Sequence, residues 1–110
     1  MAISFDQVRE IALGMEGVEE GTSYGTPAFK VKKVLFARSL PDLDSIGIRI
    51  SFDARDKLIA SDPKTFYITD HYLNYEWVLI RLNKMRIPTI KKLLNQSLAF
   101  VRENKKHSKD

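Results

Sequence analysis

A cluster of hydroxyl side chains near residue 24 is the first part of this sequence that could bind a ligand. Residues 22–26 contain four hydroxyl side chains, and Gly21 and Gly25 lie beside and among them. Hydroxyls and the backbone N–H groups of such a turn can hold an anion or a small polar molecule. The spacing matches neither a phosphate-binding P-loop nor a dinucleotide fingerprint. In the alternative interpretation, the glycines and Pro27 shape the chain path and the hydroxyls bond nearby backbone groups.

His71 is the second residue that could carry chemistry. It is the only histidine outside the C-terminal tail, and a zinc site needs three or four ligands, so we expect no metal and no cofactor. Ser23 and Asp70 are types that could assist it in hydrolysis, but their order gives no geometry, so we expect no catalytic residue and no enzyme. The alternative is a hydrogen-bonded loop histidine. The residues of the predicted ligand site are Thr22, Ser23, Tyr24, His71, Tyr72 and Trp77.

Basic residues form the third candidate site. Lysine and arginine outnumber aspartate and glutamate by 18 to 14, and residues 84–110 contain eight basic against two acidic residues. Such cations neutralise phosphates, and aromatic rings near them can stack on unpaired bases. The alternative is a solvated surface, with aromatic residues packed in the core or at its rim. The predicted phosphate contacts are Lys30, Lys32, Lys33, Arg38, Lys84, Arg86, Lys91 and Lys92.

Composition limits the class of protein. With 110 residues, 44% of them hydrophobic, the chain is expected to form one domain over residues 1–104, followed by a basic, disordered tail at 105–110. The absence of cysteine excludes disulfides and thiolate chemistry. No apolar run is long enough to span a bilayer and the N-terminus lacks a signal-peptide pattern, so we expect a cytoplasmic protein. No protein partner is indicated, and we expect a monomer or weak homodimer.

Three helices are expected to position these residues. Ser4 is suited to cap the first helix, with Gln7 completing a capping box, and Gly17 is expected to end it. A short second helix is expected over residues 53–60. Pro88 suits the first turn of a third helix, whose apolar residues recur at three and four positions.

Five strands are expected between these helices, from period-two alternation and turn signals. The element order is therefore α-β-β-β-α-β-β-α. This order predicts an α+β fold, in which an antiparallel sheet has the helices packed mainly on one face and its other face partly open. The expected strands are 27–31, 34–39, 46–51, 66–69 and 77–82.

The turn between the first two expected strands contains Lys32 and Lys33 and no glycine. A two-residue turn would need both lysines at positive φ, which is costly, so a longer turn or another type is expected. The lysines could contact phosphates without reading bases. Alternatively, they keep a strand edge from pairing with other molecules.

The residues of several segments together resemble the MmcQ/YjbR family of small bacterial proteins, over roughly residues 4–100. The resemblance implies a CyaY-like, "double wing" α+β fold of YjbR type and a DNA-binding function. Many members of the family have a glycine where this chain has Lys32 and Lys33. The segments that carry the resemblance are Glu19–Val31, Asp62-Pro63, Phe66-Tyr67, Thr69, His71-Tyr72 and Trp77-Val78.

The function predicted from the basic residues and the resemblance is low-specificity binding of DNA or another nucleic acid. The alternative is a non-enzymatic adaptor that binds a protein or a small ligand through the Gly21–Phe29 loop and His71-Tyr72. Both hypotheses use the face of the sheet that the helices leave open.

Overall fold

The structure is a computed structural model that describes residues 3–23, 25–41 and 44–103. Tyr24 and the predicted tail at 105–110 lie outside the described residues. The helices are α1 (Phe5–Leu13), α2 (Phe52–Ser61) and α3 (Ile87–Glu103). The strands are β1 (Val18–Ser23), β2 (Thr26–Val31), β3 (Val34–Ser39), β4 (Ser45–Arg49), β5 (Phe66–Tyr67) and β6 (Trp77–Arg81). Short 3₁₀ turns cover Asp70–Tyr72 and Leu82–Lys84.

The six strands form one antiparallel sheet in the order β1-β2-β3-β4-β6-β5. The main hydrophobic core lies between one face of this sheet and the three helices, which confirms the predicted α+β class. We call the opposite face the outer face. Alternation along each strand decides which residues belong to it, because successive side chains point to opposite sides.

Strand β1 is the element that the sequence analysis missed. Residues 19–23 were expected to be loop, but they pair with β2 along their whole length. A sequence of two glutamates, a glycine and two hydroxyl residues has low strand propensity and no apolar alternation. The strand lies at the sheet edge and is held by its backbone ladder and by Arg9, which donates to Glu20 at 3.0 Å. That hydrogen bond raises the pKa of the Arg9 guanidinium.

The first helix begins as predicted and ends earlier. Ser4 accepts from the Gln7 backbone N–H, and the Gln7 side chain accepts from the Ser4 N–H, so the capping box is present. The helix ends at Leu13, with Gly14 as its C-cap, rather than at the predicted Gly17. Gly17 instead has a φ of 80° and turns the chain into β1.

The turn between β2 and β3 differs from the prediction. Val31 pairs with Val34, so the turn has two residues, and Lys32 and Lys33 have φ values of 51° and 68°. Two positive φ angles define a type I′ turn, which matches the twist of the paired strands. The pairing of β2 with β3 therefore overrides a local cost of roughly 1–2 kcal/mol for each lysine.

Candidate ligand cleft on the outer sheet face

The outer face contains a cleft of about 420 Å³. Four strands and the segment 69–76, which crosses the outer face, contribute to its walls. The residues that line the cleft are Ser23, Leu35, Arg38, Arg49, His71, Tyr72, Tyr75 and Trp77.

The structure brings most of the predicted ligand site together here. Thr22 is exposed on β1 and is not among the cleft residues. Its side chain points to the opposite face of the sheet from that of Ser23, which lines the cleft. Tyr24 lies outside the described residues. Ligand binding by the cleft stays a prediction. The predicted residues that line it are Ser23, His71, Tyr72 and Trp77.

A β-bulge in β3 gives the cleft two of its residues. Phe29 of β2 pairs with Ala37 and Lys30 pairs with Leu35, so Phe36 between them is the extra residue of the bulge. Phe36 and Ala37 both pack in the main core, whereas Leu35 and Arg38 on either side of them line the cleft. Without the bulge, residues three apart would face opposite sides of the sheet.

The two arginines of the cleft are held in place by neighbouring groups. Arg38 donates from Nη1 to the Tyr72 hydroxyl at 2.8 Å. Arg49 donates from Nε to the Leu35 carbonyl oxygen at 2.9 Å, and its guanidinium carbon lies 5.0 Å from the centroid of the Trp77 ring. Both guanidinium groups are therefore oriented before any ligand arrives, which lowers the cost of binding an anion.

Gly47 creates the space between these arginines. It pairs with Arg38 across the β3–β4 ladder, and Arg49 follows two residues later on the same face. A Cβ atom at Gly47 would lie 3.1 Å from Leu79 Cδ2 and 3.3 Å from Trp77 Cε3. The missing side chain thus lets the Trp77 ring lie against the sheet.

Replacing Gly47 with alanine is expected to disturb this packing. The new methyl group forces Leu79 and Trp77 to shift, and overpacking of this kind costs about 1 kcal/mol or more. Trp77 is the only tryptophan of the chain, so its emission should change in the folded variant. Gly21→Ala is the control, because a Cβ there would meet nothing within 4 Å. Equal stability and emission in the two variants would contradict the prediction.

Arg55 of α2 fixes the segment 69–76 over the outer face. Its side chain is buried, and Nη1 donates to the carbonyl oxygens of Leu73 and Tyr75 at 3.2 Å and of Tyr72 at 3.4 Å. Its guanidinium carbon lies 4.8 Å from the centroid of the Phe52 ring. This role of Arg55 was not predicted from the sequence, because an arginine in a short helix usually lies in solvent.

His71 and Tyr75 form the exposed rim of the cleft. The His71 ring meets Tyr72 edge-on at 4.9 Å and Tyr75 at 6.0 Å between centroids. Tyr75 is 57% exposed, so its ring is available to a ligand. No hydroxyl or carboxylate bonds His71 among the described residues, although Ser23 lines the same cleft. The expectation of a non-enzymatic protein stays a prediction.

The predicted phosphate contacts fall into two groups on opposite sides of the sheet. One group, the hairpin cations, belongs to the β2–β3 hairpin: Lys30, Lys32, Lys33 and Arg38. Lys30 lies on the outer face, because it pairs with the cleft residue Leu35. The other group follows β6 into α3, which packs on the core face: Lys84, Arg86, Lys91 and Lys92.

A larger cavity of about 810 Å³ lies beside the start of α1 and the paired ends of β4 and β6. It contains none of the predicted site residues. Its wall includes Arg81, which lies over the Tyr67 ring at 3.9 Å, and the carboxylates Asp6 and Asp44. Mixed charge gives this cavity no clear preference for an anion or a cation, so the smaller cleft is the better candidate site.

Two further features can be stated for the described ranges 3–23, 25–41 and 44–103. No group of three histidine, aspartate or glutamate side chains is close enough there to hold a metal ion. None of the helices within those ranges has the length and apolar character needed to cross a bilayer.

A six-stranded antiparallel sheet with helices on one face and a cleft of ligand size on the other defines a small α+β domain. The YjbR family model matches residues 13–99, and the chain belongs to this family. The resemblance found in the sequence is thereby confirmed, whereas DNA binding and the double-wing description stay predictions. No curated protein matches the chain.

The fold is similar to that of a solved structure. It is the crystal structure of the Deinococcus radiodurans protein DR2400, described with a DUF419 domain. The TM-score is 0.79 at 18% identity, over 92% of this chain and 80% of that one. At this identity the similarity shows the fold alone.

Proposed function

We propose that this protein is a non-enzymatic, low-specificity nucleic-acid-binding module that holds a single strand along the β2–β3 hairpin. The observation that carries the proposal is the arrangement of the hairpin cations. Lys32 and Lys33 occupy the tip, Lys30 follows on the outer face, and Arg38 lies in the cleft. A polyanion would meet these four positive charges between the tip and the cleft, and one opposite charge, Glu19, which pairs with Lys30 at the sheet edge.

The cleft favours a single strand over a duplex. The rings of His71 and Tyr75 at its rim can receive an unpaired base, and each stacked base contributes roughly 1–3 kcal/mol by alanine substitution. Paired bases of a duplex do not offer their faces to such rings. Lysine contacts to phosphate carry no sequence information, so low specificity follows.

Replacing Lys32 and Lys33 with alanine is expected to weaken binding of a labelled single strand. For single strands, the slope of log Kobs against log salt should flatten by about 0.7 per lost phosphate contact, or about 1.4 for the pair. Fluorescence anisotropy across salt concentrations measures both the affinity and the slope.

The matched control is a second lysine pair, Lys91→Ala with Lys92→Ala. These lysines are exposed on α3, which packs on the core face of the sheet. Their loss changes the net charge by the same amount as the loss of Lys32 and Lys33. An equal loss of affinity in both double variants would mean that net charge alone attracts the strand. That result would remove the hairpin from the proposal.

The cleft itself favours a second candidate function, binding of a small anionic ligand. Arg38 and Arg49 line the cleft, and His71 and Tyr75 form its rim. Its volume lies within the usual range of small-molecule pockets, roughly 300–1,000 Å³. Under this hypothesis, loss of His71 or Tyr72 should abolish binding of an anionic metabolite, whereas loss of the tip lysines should not. Thermal-shift measurements against mixtures of anionic metabolites test it.

A further inference from the structure

We infer that the cleft binds a single nucleotide through a phosphomonoester group and the planar base attached to it. The ligand is either a free mononucleotide or the phosphorylated end of a strand, since both present the same chemistry. The inference rests on the second candidate function and names its ligand. Binding of this ligand requires the cleft but not Lys32 and Lys33 at the tip of the hairpin.

The phosphate is assigned to Arg38 and Arg49. Gly47 pairs with Arg38 and precedes Arg49 by two residues, so the two arginines are diagonal neighbours on one face. Diagonal Cβ atoms on antiparallel strands lie about 7–8 Å apart, and long side chains at this spacing can reach one shared group. Both arginines line the cleft, together with the exposed ring of Tyr75. Two neighbouring cations on one wall of a cleft favour an anion as the ligand.

Phosphate fits this pair better than a carboxylate does. One guanidinium satisfies a carboxylate with two parallel hydrogen bonds. Two guanidinium groups on neighbouring strands suit a tetrahedral phosphate, which offers several oxygens. Each arginine can contact a different pair of these oxygens. The hydrogen bonds of Arg49 to Leu35 and of Arg38 to Tyr72 hold both groups for this contact.

The base is assigned to the rim and not to the tryptophan. Arg49 lies over one face of the Trp77 ring, so a base cannot stack on that face. Tyr75 is exposed and lies beside His71, at the open side of the same cleft. A base attached to a phosphate between the arginines would therefore stack on Tyr75.

The size of the cleft suits a ligand of about one nucleotide. At about 420 Å³ it lies in the lower half of the range of small-molecule pockets. The segment 69–76 crosses the outer face and is fixed there by Arg55. A strand could place its terminal nucleotide in the cleft while its remaining nucleotides follow the hairpin.

Trp77 provides the readout, because it is the only tryptophan and forms a wall of the cleft. The probes are a nucleoside 5′-monophosphate, the matching nucleoside, inorganic phosphate, an aromatic carboxylate, and a short oligonucleotide with and without a 5′-phosphate. Excitation at the red edge of the tryptophan band limits absorption by the bases. We expect saturable binding of the mononucleotide, with the nucleoside and inorganic phosphate each at least about tenfold weaker.

Three variants assign the contacts. Arg38→Gln is expected to weaken mononucleotide binding at least about tenfold. Tyr75→Ala should weaken it by about tenfold, and Tyr75→Phe should restore it, because stacking needs the ring and not the hydroxyl. Lys57→Ala, exposed on α2, is the control and should bind as the wild type does. Thermal unfolding of each variant excludes loss of fold as the cause.

Each outcome decides a different point. Tighter binding of the 5′-phosphorylated oligonucleotide than of the unphosphorylated one, without binding of the free mononucleotide, supports the inference and identifies a strand end as the ligand. Equal affinity for nucleoside and mononucleotide, or an unchanged affinity in folded Arg38→Gln, overturns it. Binding of the aromatic carboxylate alone overturns it and leaves the second candidate function standing. Equal affinity for the two oligonucleotides, without binding of the free mononucleotide, also overturns it.

Discussion

Replacing Arg55 with methionine is expected to destabilise the protein by about 3 kcal/mol. Methionine keeps an apolar contact with Phe52 but removes the Arg55 donor from three carbonyl oxygens of the segment 69–76. The carbonyl oxygens of Tyr72 and Tyr75 keep a backbone N–H donor. Hydrogen bonds to a charged group contribute about 1.5–3 kcal/mol each, and not all of that is lost because water can replace part of it. Denaturant unfolding, followed by Trp77 emission, measures the change.

The control for this experiment is Lys57→Met on the same helix. Lys57 is exposed, and surface substitutions of this kind usually change stability by less than about 0.5 kcal/mol. Hydrogen exchange should also rise in residues 69–76 of the Arg55 variant and not in the control, because the segment loses its attachment. Equal stability and equal exchange in the two variants would show that Arg55 does not fix the cleft wall.

Changing Lys32 to asparagine and Lys33 to glycine is expected to stabilise the protein by about 2 kcal/mol. Asparagine followed by glycine is the preferred pair for a type I′ turn, and both residues tolerate the positive φ angles that the lysines adopt here. The same change removes two cations from the hairpin tip. We therefore expect higher stability and weaker single-strand binding in the same variant.

The alanine pair described above separates these two effects. Alanine at both positions removes the charges but keeps the unfavourable φ angles, so binding should fall without a gain in stability. Unfolding free energies and anisotropy titrations of the two double variants provide the comparison. If the asparagine–glycine variant is no more stable than the alanine variant, the lysines are not strained in the folded protein.

The parts of the fold that follow from local patterns could be predicted from the sequence. The capping box at Ser4, the apolar repeat after Pro88 and the strand at 34–39 agree with the structure, because each depends on residues close together in the chain. Strand β1 could not be predicted. It is an edge strand with little apolar character, and only its pairing with β2 makes it a strand.

The candidate site could be predicted only in part, because some of its residues meet through strand pairing and not through closeness in the chain. Aromatic and hydroxyl residues near Ser23 and His71 are visible in the sequence, and the structure brings them to one cleft. Arg49 enters the cleft through the register of β4 against β3, and the position of Arg38 depends on the bulge. The contacts of Arg55 join residues 17, 18 and 20 positions apart. Spacing in the sequence does not predict such contacts.

Backbone chemical-shift mapping with a short single strand tests the central claim most directly. The wild-type chain would be titrated with an oligonucleotide, and the shifted amide signals compared between the two groups of basic residues. The proposal predicts shifts in residues 30–38 and around His71, Tyr75 and Trp77, with residues 84–95 unchanged. Shifts confined to residues 84–95, with the β2–β3 hairpin and the cleft unaffected, would contradict it.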